Sequence, residues 1–367
     1  MAEPMRRALI PIWLATPSRF ANMTQPAARG VLAALALLLA VMVAITIAGL
    51  SASPDQADTA FYAAIVEGVR HGGNYYAVTA EALRAGGYPL APFAAFALPT
   101  PVVIQAALPD IVAMAILCLL TAAVAFKWYA RVQPALKARG ARAMVALLLF
   151  VSLAPLLRPS FAPLPELGAG LAIALSLGVR RYDRPLDTVA LGLAAAVICA
   201  VAMLYPIVML AFALVEQRRR EALGWAAVLF VIVIVLAVHA QAVAQVVRPL
   251  DARLFDWTGW LGLGAFVSAA TSVPALAWMP GWLAAPIIGM ALFGWATWRD
   301  PLAPRALATI VLTALLIAVF SREDTQHWAL LATPLLLTGL VFVPDGLRDL
   351  VHAAQDSRRI TVTRIIR

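Results

Sequence analysis

Long apolar stretches separated by short polar connections set the pattern of this chain. Ten such stretches are read, at about 31–50, 109–126, 143–157, 167–179, 188–203, 204–216, 222–247, 281–298, 306–321 and 329–343. The longer ones reach the ~20 residues that carry a helix across ~30 Å of hydrocarbon, and several are short for a full crossing. The alternating ~10-residue segments of a membrane barrel are absent. The pattern predicts an all-α polytopic membrane protein, with residues 1–367 forming one integral membrane domain. One connection stands apart by its length: residues 51–108 form a polar outer loop, with an amphipathic surface helix predicted near its start.

Composition agrees with that class. The chain is 63% hydrophobic and 13% charged, with a mean hydropathy of +0.88, whereas a soluble domain is about a quarter charged. The net charge of +9 does not point to nucleic acid, because the basic residues fall in short connections between spans, as the positive-inside rule requires. That rule decides the stretch 188–216. Arg180, Arg181 and Arg184 precede it and Arg218, Arg219 and Arg220 follow it, so it is predicted to be a hairpin turning at Tyr205-Pro206. Both termini then face the cytoplasm, leaving only Arg70, Arg84, Arg158, Arg248, Arg253 and Arg322 outside. Residues 31–50 are read as a retained span, being longer than a signal-peptide core. Cys118 and Cys199 both sit in apolar runs and are expected to be buried free thiols.

The outer loop holds the first candidate chemistry. Ser53, Pro54 and Gln56 read as an N-cap, first helical residue and capping-box partner. Phe61, Ala64, Ile65 and Val69 form an apolar stripe, and Gly72-Gly73 ends the helix. Asp55 and Asp58 fall near the first turn, where the helix dipole favours an ionised carboxylate; complementing that dipole is itself a sufficient reason for them. Asp58 and Tyr62 share a face, being four apart. Such an aspartate at a bilayer surface is placed to take a proton from an attacking hydroxyl. Tyr75 and Tyr76 follow Gly72-Gly-Asn74.

The second candidate is the connector from Arg322 to Trp328, which carries His327. Arg322 and His327 suit a phosphodiester, the one by a two-pronged hydrogen bond and the other as a donor. Arg158 lies in a proline-broken segment ending at Glu166, and a pairing of those two residues is favoured over substrate binding. Arg248 and Arg253 share a loop with Asp251, Asp256, Trp257 and Trp260, and the tryptophans suit a membrane boundary. His239, within an apolar span, is read as a satisfied group facing other helices. No zinc, Walker or triad motif occurs. Asp55 with Asp58 offers a divalent cation two carboxylates, thin for a site, so no metal or cofactor is expected.

In these residues the chain resembles the GT-C glycosyltransferases, most of all glycosyltransferase family 87, the polyprenyl-phosphate-mannose-dependent mannosyltransferases. The segment Asp58 to Ile65 with Tyr75 and Tyr76, the Tyr205-Pro206 step, and Arg322, His327, Trp328 and Pro334 carry the resemblance. It implies an enzyme that moves mannose or another hexose or pentose from a polyprenyl-phosphate donor to a lipid or glycan acceptor on the outer face of the cytoplasmic membrane. The transfer is expected to be inverting, and the Ala-rich, Arg-over-Lys composition points to a bacterium. Asp58 is then the catalytic base. Arg322, His327, Arg158, Tyr62, Tyr75, Tyr76 and Asp55 are binding residues, and the partners are the donor, the acceptor and membrane lipids. The rival reading is a transporter or lipid-linked sugar flippase without bond chemistry.

Overall fold

The computed structural model describes residues 10–47, 57–253, 262–272, 276, 279–320 and 323–355, with backbone alone for 57, 58, 272 and 323–326. Ser53, Asp55, Trp257, Trp260 and Arg322 lie outside the described residues, as do Arg6, Arg7 and the arginines from Arg358 onward. The described chain is helical, apart from two isolated β-bridges. In order the helices are α1 (Gln25–Ile47), α2 (Ala57–Arg70), α3 (Tyr75–Ala85), α4 (Pro99–Ala107), α5 (Asp110–Val132), α6 (Arg139–Leu153), α7 (Pro165–Val179), α8 (Leu186–Ile198), α9 (Leu204–Val215), α10 (Arg219–Val246), α11 (Gly262–Ser272), α12 (Gly281–Thr297), α13 (Leu302–Phe320), α14 (Thr333–Leu336) and α15 (Val343–Gln355). Single turns and runs of 3-10 helix connect them.

Five of these segments are long and apolar enough to cross a membrane, namely Gln25–Ile47, Asp110–Ala135, Arg139–Leu157, Arg219–Val246 and Leu302–Phe320. Their outward faces are apolar as well: Ile111 and Leu119 on α5, Phe150 on α6, and Phe230 and Val233 on α10 are exposed. A soluble protein does not display such a belt. This is a helical membrane protein. Lipid is as apolar as leucine, so close packing and internal hydrogen bonds, rather than water exclusion, hold the helices together. Trp128 Nε1 donates to Ala174 O at 2.7 Å and Trp295 Nε1 to Leu335 O at 3.0 Å. The two buried indoles meet edge to face at 5.4 Å.

The two ends of the bundle differ. At the basal end the N-terminal segment is tied to α15, where the buried Asp345 carboxylate accepts the backbone N–H groups of Ile12, Trp13 and Leu14 at 2.6–2.8 Å. Asp349 accepts that of Ser18 at 2.9 Å. The same end holds a buried ion cluster. Arg180 Nη2 lies 2.8 Å from Glu221 Oε2, and Arg305 Nη2 lies 2.7 Å from Glu216 Oε2. Arg218 donates to Tyr182 O at 3.3 Å. These contacts bring both feet of the 186–216 segment together, so it is a hairpin. Its turn is not at Tyr205-Pro206: the helix breaks earlier, at Cys199 (φ −139°, ψ 121°), and Pro206 is absorbed into the first turn of α9. A proline there loses no helical hydrogen bond.

Within the bundle, α7, α8 and α9 are shorter than a full helical crossing. At 15, 13 and 12 residues, α7, α8 and α9 rise only about 22, 20 and 18 Å, against ~30 Å of hydrocarbon. Their tips, starting from the basal end, stop about 8–12 Å short of the far side on the same arithmetic. Segments from elsewhere enter the space left. The 3-10 run Glu323–Leu331 packs on α7, and its last residues, Ala329 to Leu331, are buried. The stretch expected as a helical span at 329–343 is drawn out largely as 3-10 helix, which rises ~2.0 Å per residue. Nor is 248–280 simply an outer loop. α11 lies inside it with Phe266, Val267 and Ala269 buried and packs on α13 and on the 323–331 run.

Close approach of α7 to that run depends on Gly170, whose absent side chain would overlap the Leu330 carbonyl. Gly170→Ala is expected to cost about 1–3 kcal/mol by overpacking and to lower the thermal midpoint in detergent. Gly140→Ala, where the new methyl meets nothing within 4 Å, should leave the midpoint unchanged.

Candidate functional site

The 57–108 region forms a helical cap over the far end of the bundle. Helix α2 ends as the sequence predicts: Gly72 takes φ +90°, and Gly73 N–H bonds back to Gly68 O at 3.1 Å. Asn74 then caps α3, its Oδ1 accepting from Tyr76 N and Ala77 N. The Gly-Gly-Asn motif is thus a helix-to-helix corner. Ile65 and Val66 of α2 are buried with Tyr75 and Val102, giving the cap a small core of its own. The apolar stripe is rotated from the expected one, since Ala64 is exposed.

Two polar clasps hold the cap. Arg84 Nη2 meets Asp251 Oδ2 at 2.7 Å and also donates to Val246 O at 2.8 Å. The Asp251 carboxyl is drawn down to about 2 by Arg84, with help from the Arg248 backbone N–H. Arg70 reaches Asp110 Oδ1 at 2.6 Å and the Gln105 and Leu108 carbonyls at 3.3 Å, and that carboxylate raises its pKa. Arg248 and Asp251 therefore belong to the attachment of the cap.

Of Tyr75 and Tyr76, both expected to line a sugar pocket, Tyr75 packs within the cap and Tyr76 takes part in its attachment. Tyr75 is buried, and its hydroxyl donates to Ala97 O at 2.7 Å. Tyr76 Oη lies 3.1 Å from His239 Nδ1, and His239 Nε2 lies 3.2 Å from the Phe96 carbonyl. A carbonyl only accepts, so Nε2 carries the proton and Nδ1 accepts the Tyr76 hydroxyl. Burial raises both phenol pKa values, so neither is a proton carrier near neutrality. His239 is satisfied, as its apolar surroundings require, but by the cap rather than by neighbouring spans.

Beneath α2 a different group gathers. Tyr62 and His327 meet edge to face with ring centroids 6.0 Å apart. His327 Nε2 stands 3.5 Å from Glu166 Oε1, with side chains only 11% and 4% exposed. The Cys199 thiol, at the apex of the α8–α9 hairpin, lies 3.7 Å from the same oxygen. Glu166 opens α7 directly after Pro165, where the helix dipole stabilises a carboxylate. Four separate segments thus meet at the blunt tips of the short helices. Among them, the sequence reading anticipates Tyr62 and His327. Asp58 precedes Tyr62 by one turn on the same helix.

The expected Arg158–Glu166 pair does not form. Arg158 is exposed, while Glu166 turns inward to His327. The intervening residues 159–161 make a 3-10 turn that packs on α2, carrying Arg158 to the rim. Glu166 and Cys199 are the residues that sequence reasoning missed. A buried acid at the first turn of an apolar helix was visible, but its partner, more than 150 residues away, was not. Cys118, expected to be buried, is exposed on α5. Among the described residues no group of three His, Cys, Asp or Glu side chains is arranged to hold a metal ion. Comparison with family models, with curated proteins and with solved structures gave no match to this chain.

The Asp251 carboxyl ionises more readily in the fold than at its ordinary 3.8. Its clasp therefore contributes fully above that value and is lost as pH falls through about 2. Protection of the Leu90 amide, which bonds to Ala252 O, should be lost over that acid range when exchange is scaled to the intrinsic rate at each pH, and Arg84→Ala should lower that protection already at neutral pH.

Proposed function

We propose that this chain is an inverting glycosyltransferase that moves a hexose or pentose from a polyprenyl-phosphate carrier to a lipid or glycan acceptor at the outer face of a bacterial cytoplasmic membrane. The observation that carries the reading is the contact of Tyr62, one turn past Asp58, with His327 over the buried Glu166. It joins the helix bearing a candidate base to the run bearing a candidate phosphate ligand, at the tips of the short helices.

In this reading ten segments enter the bilayer, α1, α5, α6, α7, the two limbs of the 186–216 hairpin, α10, α12, α13 and the 329–343 stretch, with the non-helical backbone beyond the tips of α7 and of the hairpin completing the passage of the short helices. Both termini are cytoplasmic. The basal end carries Arg180, Arg218 and Arg305, which supports placing it inside. The cap then faces outward.

A cavity of about 380 Å³ between α1, α11, α12 and α13 supports a lipid-borne substrate. Its walls include Leu35, Met42, Phe266, Leu292 and Val311. It runs beside α11, which packs on the run that holds His327. A polyprenyl tail would lie in it with its phosphate at His327. Arg322 and the rim residue Arg158 would add positive charge as the carbon–oxygen bond to phosphate breaks. Asp58 would remove the proton of the acceptor hydroxyl as that oxygen bonds to the anomeric carbon. Phosphate leaves as an anion without protonation, so no separate acid is required.

Purified protein in lipid nanodiscs, given radiolabelled polyprenyl-phosphate sugars and a membrane extract as acceptor, should release polyprenyl phosphate as label enters the acceptor. Asp58→Asn should lower that rate by roughly 10²–10⁴-fold without changing the thermal midpoint. In proteoliposomes, movement of the labelled lipid between leaflets without bond cleavage would establish the transporter reading instead.

A further inference from the structure

We infer that Glu166 grips the sugar, its second carboxylate oxygen accepting hydroxyl protons and turning away anionic sugars. The inference rests on the glycosyl-transfer reading and extends it to the class of sugar. Glu166 is 3% exposed. Its Oε1 is shared between His327 Nε2 at 3.5 Å and the Cys199 thiol at 3.7 Å. Its Oε2 is buried and has no hydrogen-bond partner among the described residues. A buried carboxylate with unused lone pairs is costly, and a ligand that donates to it recovers that cost.

Chemistry limits what that ligand is. A phosphate diester and a uronate carboxylate are anions at neutral pH. Each would meet like charge beside a carboxylate removed from water, where repulsion is strong. A neutral sugar brings several hydroxyl donors, and an amino sugar brings an ammonium group. Proximity gives the same answer. In a polyprenyl-phosphate sugar the anomeric carbon is bonded to the phosphate oxygen, so the sugar and phosphate subsites must touch. Glu166 and His327 do so, through one carboxylate oxygen. Phosphate on the imidazole side sets the sugar against Glu166, beneath the helix that carries Asp58 and Tyr62. Glu166 is thus a specificity-determining residue.

The test is equilibrium binding to the full-length protein in nanodiscs of three short-chain lipids: polyprenyl phosphate bearing a neutral hexose, the same lipid bearing a hexuronate, and polyprenyl phosphate alone. Wild type should favour the hexose lipid over the hexuronate lipid by about tenfold or more. Glu166→Gln, nearly isosteric, should reduce that preference to about twofold or less, chiefly by admitting the hexuronate. Glu166→Asp should keep the preference, and His327→Gln should weaken all three lipids alike without altering it. A purely structural Glu166 would shift all three lipids together. An unchanged preference in Glu166→Gln, or a wild type indifferent to the hexuronate, overturns the inference while leaving glycosyl transfer standing. Failure of wild type to bind any of the three overturns the transfer reading and this inference with it.

Discussion

Helix length is the constraint on which the rest of this structure depends. Helices α7, α8 and α9, of 15, 13 and 12 residues, fall short of the ~20 that a crossing needs. A bundle that includes them has a hollow at one end. Exposed helix tips and irregular backbone are tolerated at membrane depth only where protein or water covers them. The cap covers them from above, and the 323–331 run and α11 fill in from the side. The polar groups of this region, Glu166, His327 and Tyr62, lie at the junction of these pieces, not on the lipid face. Their burial follows from the shortage of helix.

The opposite end answers a different requirement. Its charges are paired: Arg180 with Glu221, Arg305 with Glu216, and Asp345 with three backbone N–H groups of the N-terminal segment. A buried ion pair adds little net stability over an apolar one, yet removing one partner is costly. Such a cluster fixes which helix ends meet. It holds the feet of the hairpin and the start of α13 in register, and so sets the depth at which the Cys199 apex arrives beside Glu166. In this way the end remote from the candidate site determines its geometry.

Much of this was legible in the sequence. The apolar runs gave the helical class, and charge on either side of 188–216 gave the hairpin. The glycine pair correctly ended the surface helix, and Tyr62 and His327 are neighbours. What failed shares a cause. Periodicity reports a helix face but not its depth, so the apolar runs that are visibly short for a crossing gave no sign of what fills the space beyond their tips, and 248–280 read as an outer loop. Aromatic spacing could not separate a wall residue from a buried strut, and Tyr75 and Tyr76 proved to be struts once Ala97 and His239 were found as partners. Glu166 looked nearest to Arg158 because sequence distance stood in for space. Three-centre contacts such as Glu166 with His327 and Cys199 depend on the fold, and one residue type at one position carries no trace of them.

Convergence of α2 with the 323–331 run above α7 is the claim most worth testing directly. Tyr62→Cys and His327→Cys, introduced together where Cys118 and Cys199 have been replaced by serine, place one thiol on each side of the junction. Treating native membranes with a short bifunctional thiol reagent, then cleaving the chain between the two positions and measuring the fraction that stays joined, reads their proximity. The account predicts that most of the chain remains linked, while a control pair of Tyr62→Cys with Tyr182→Cys, at the other end of the bundle, does not. Equal and low linkage for both pairs would mean that the two segments do not meet, and the site described above would not exist.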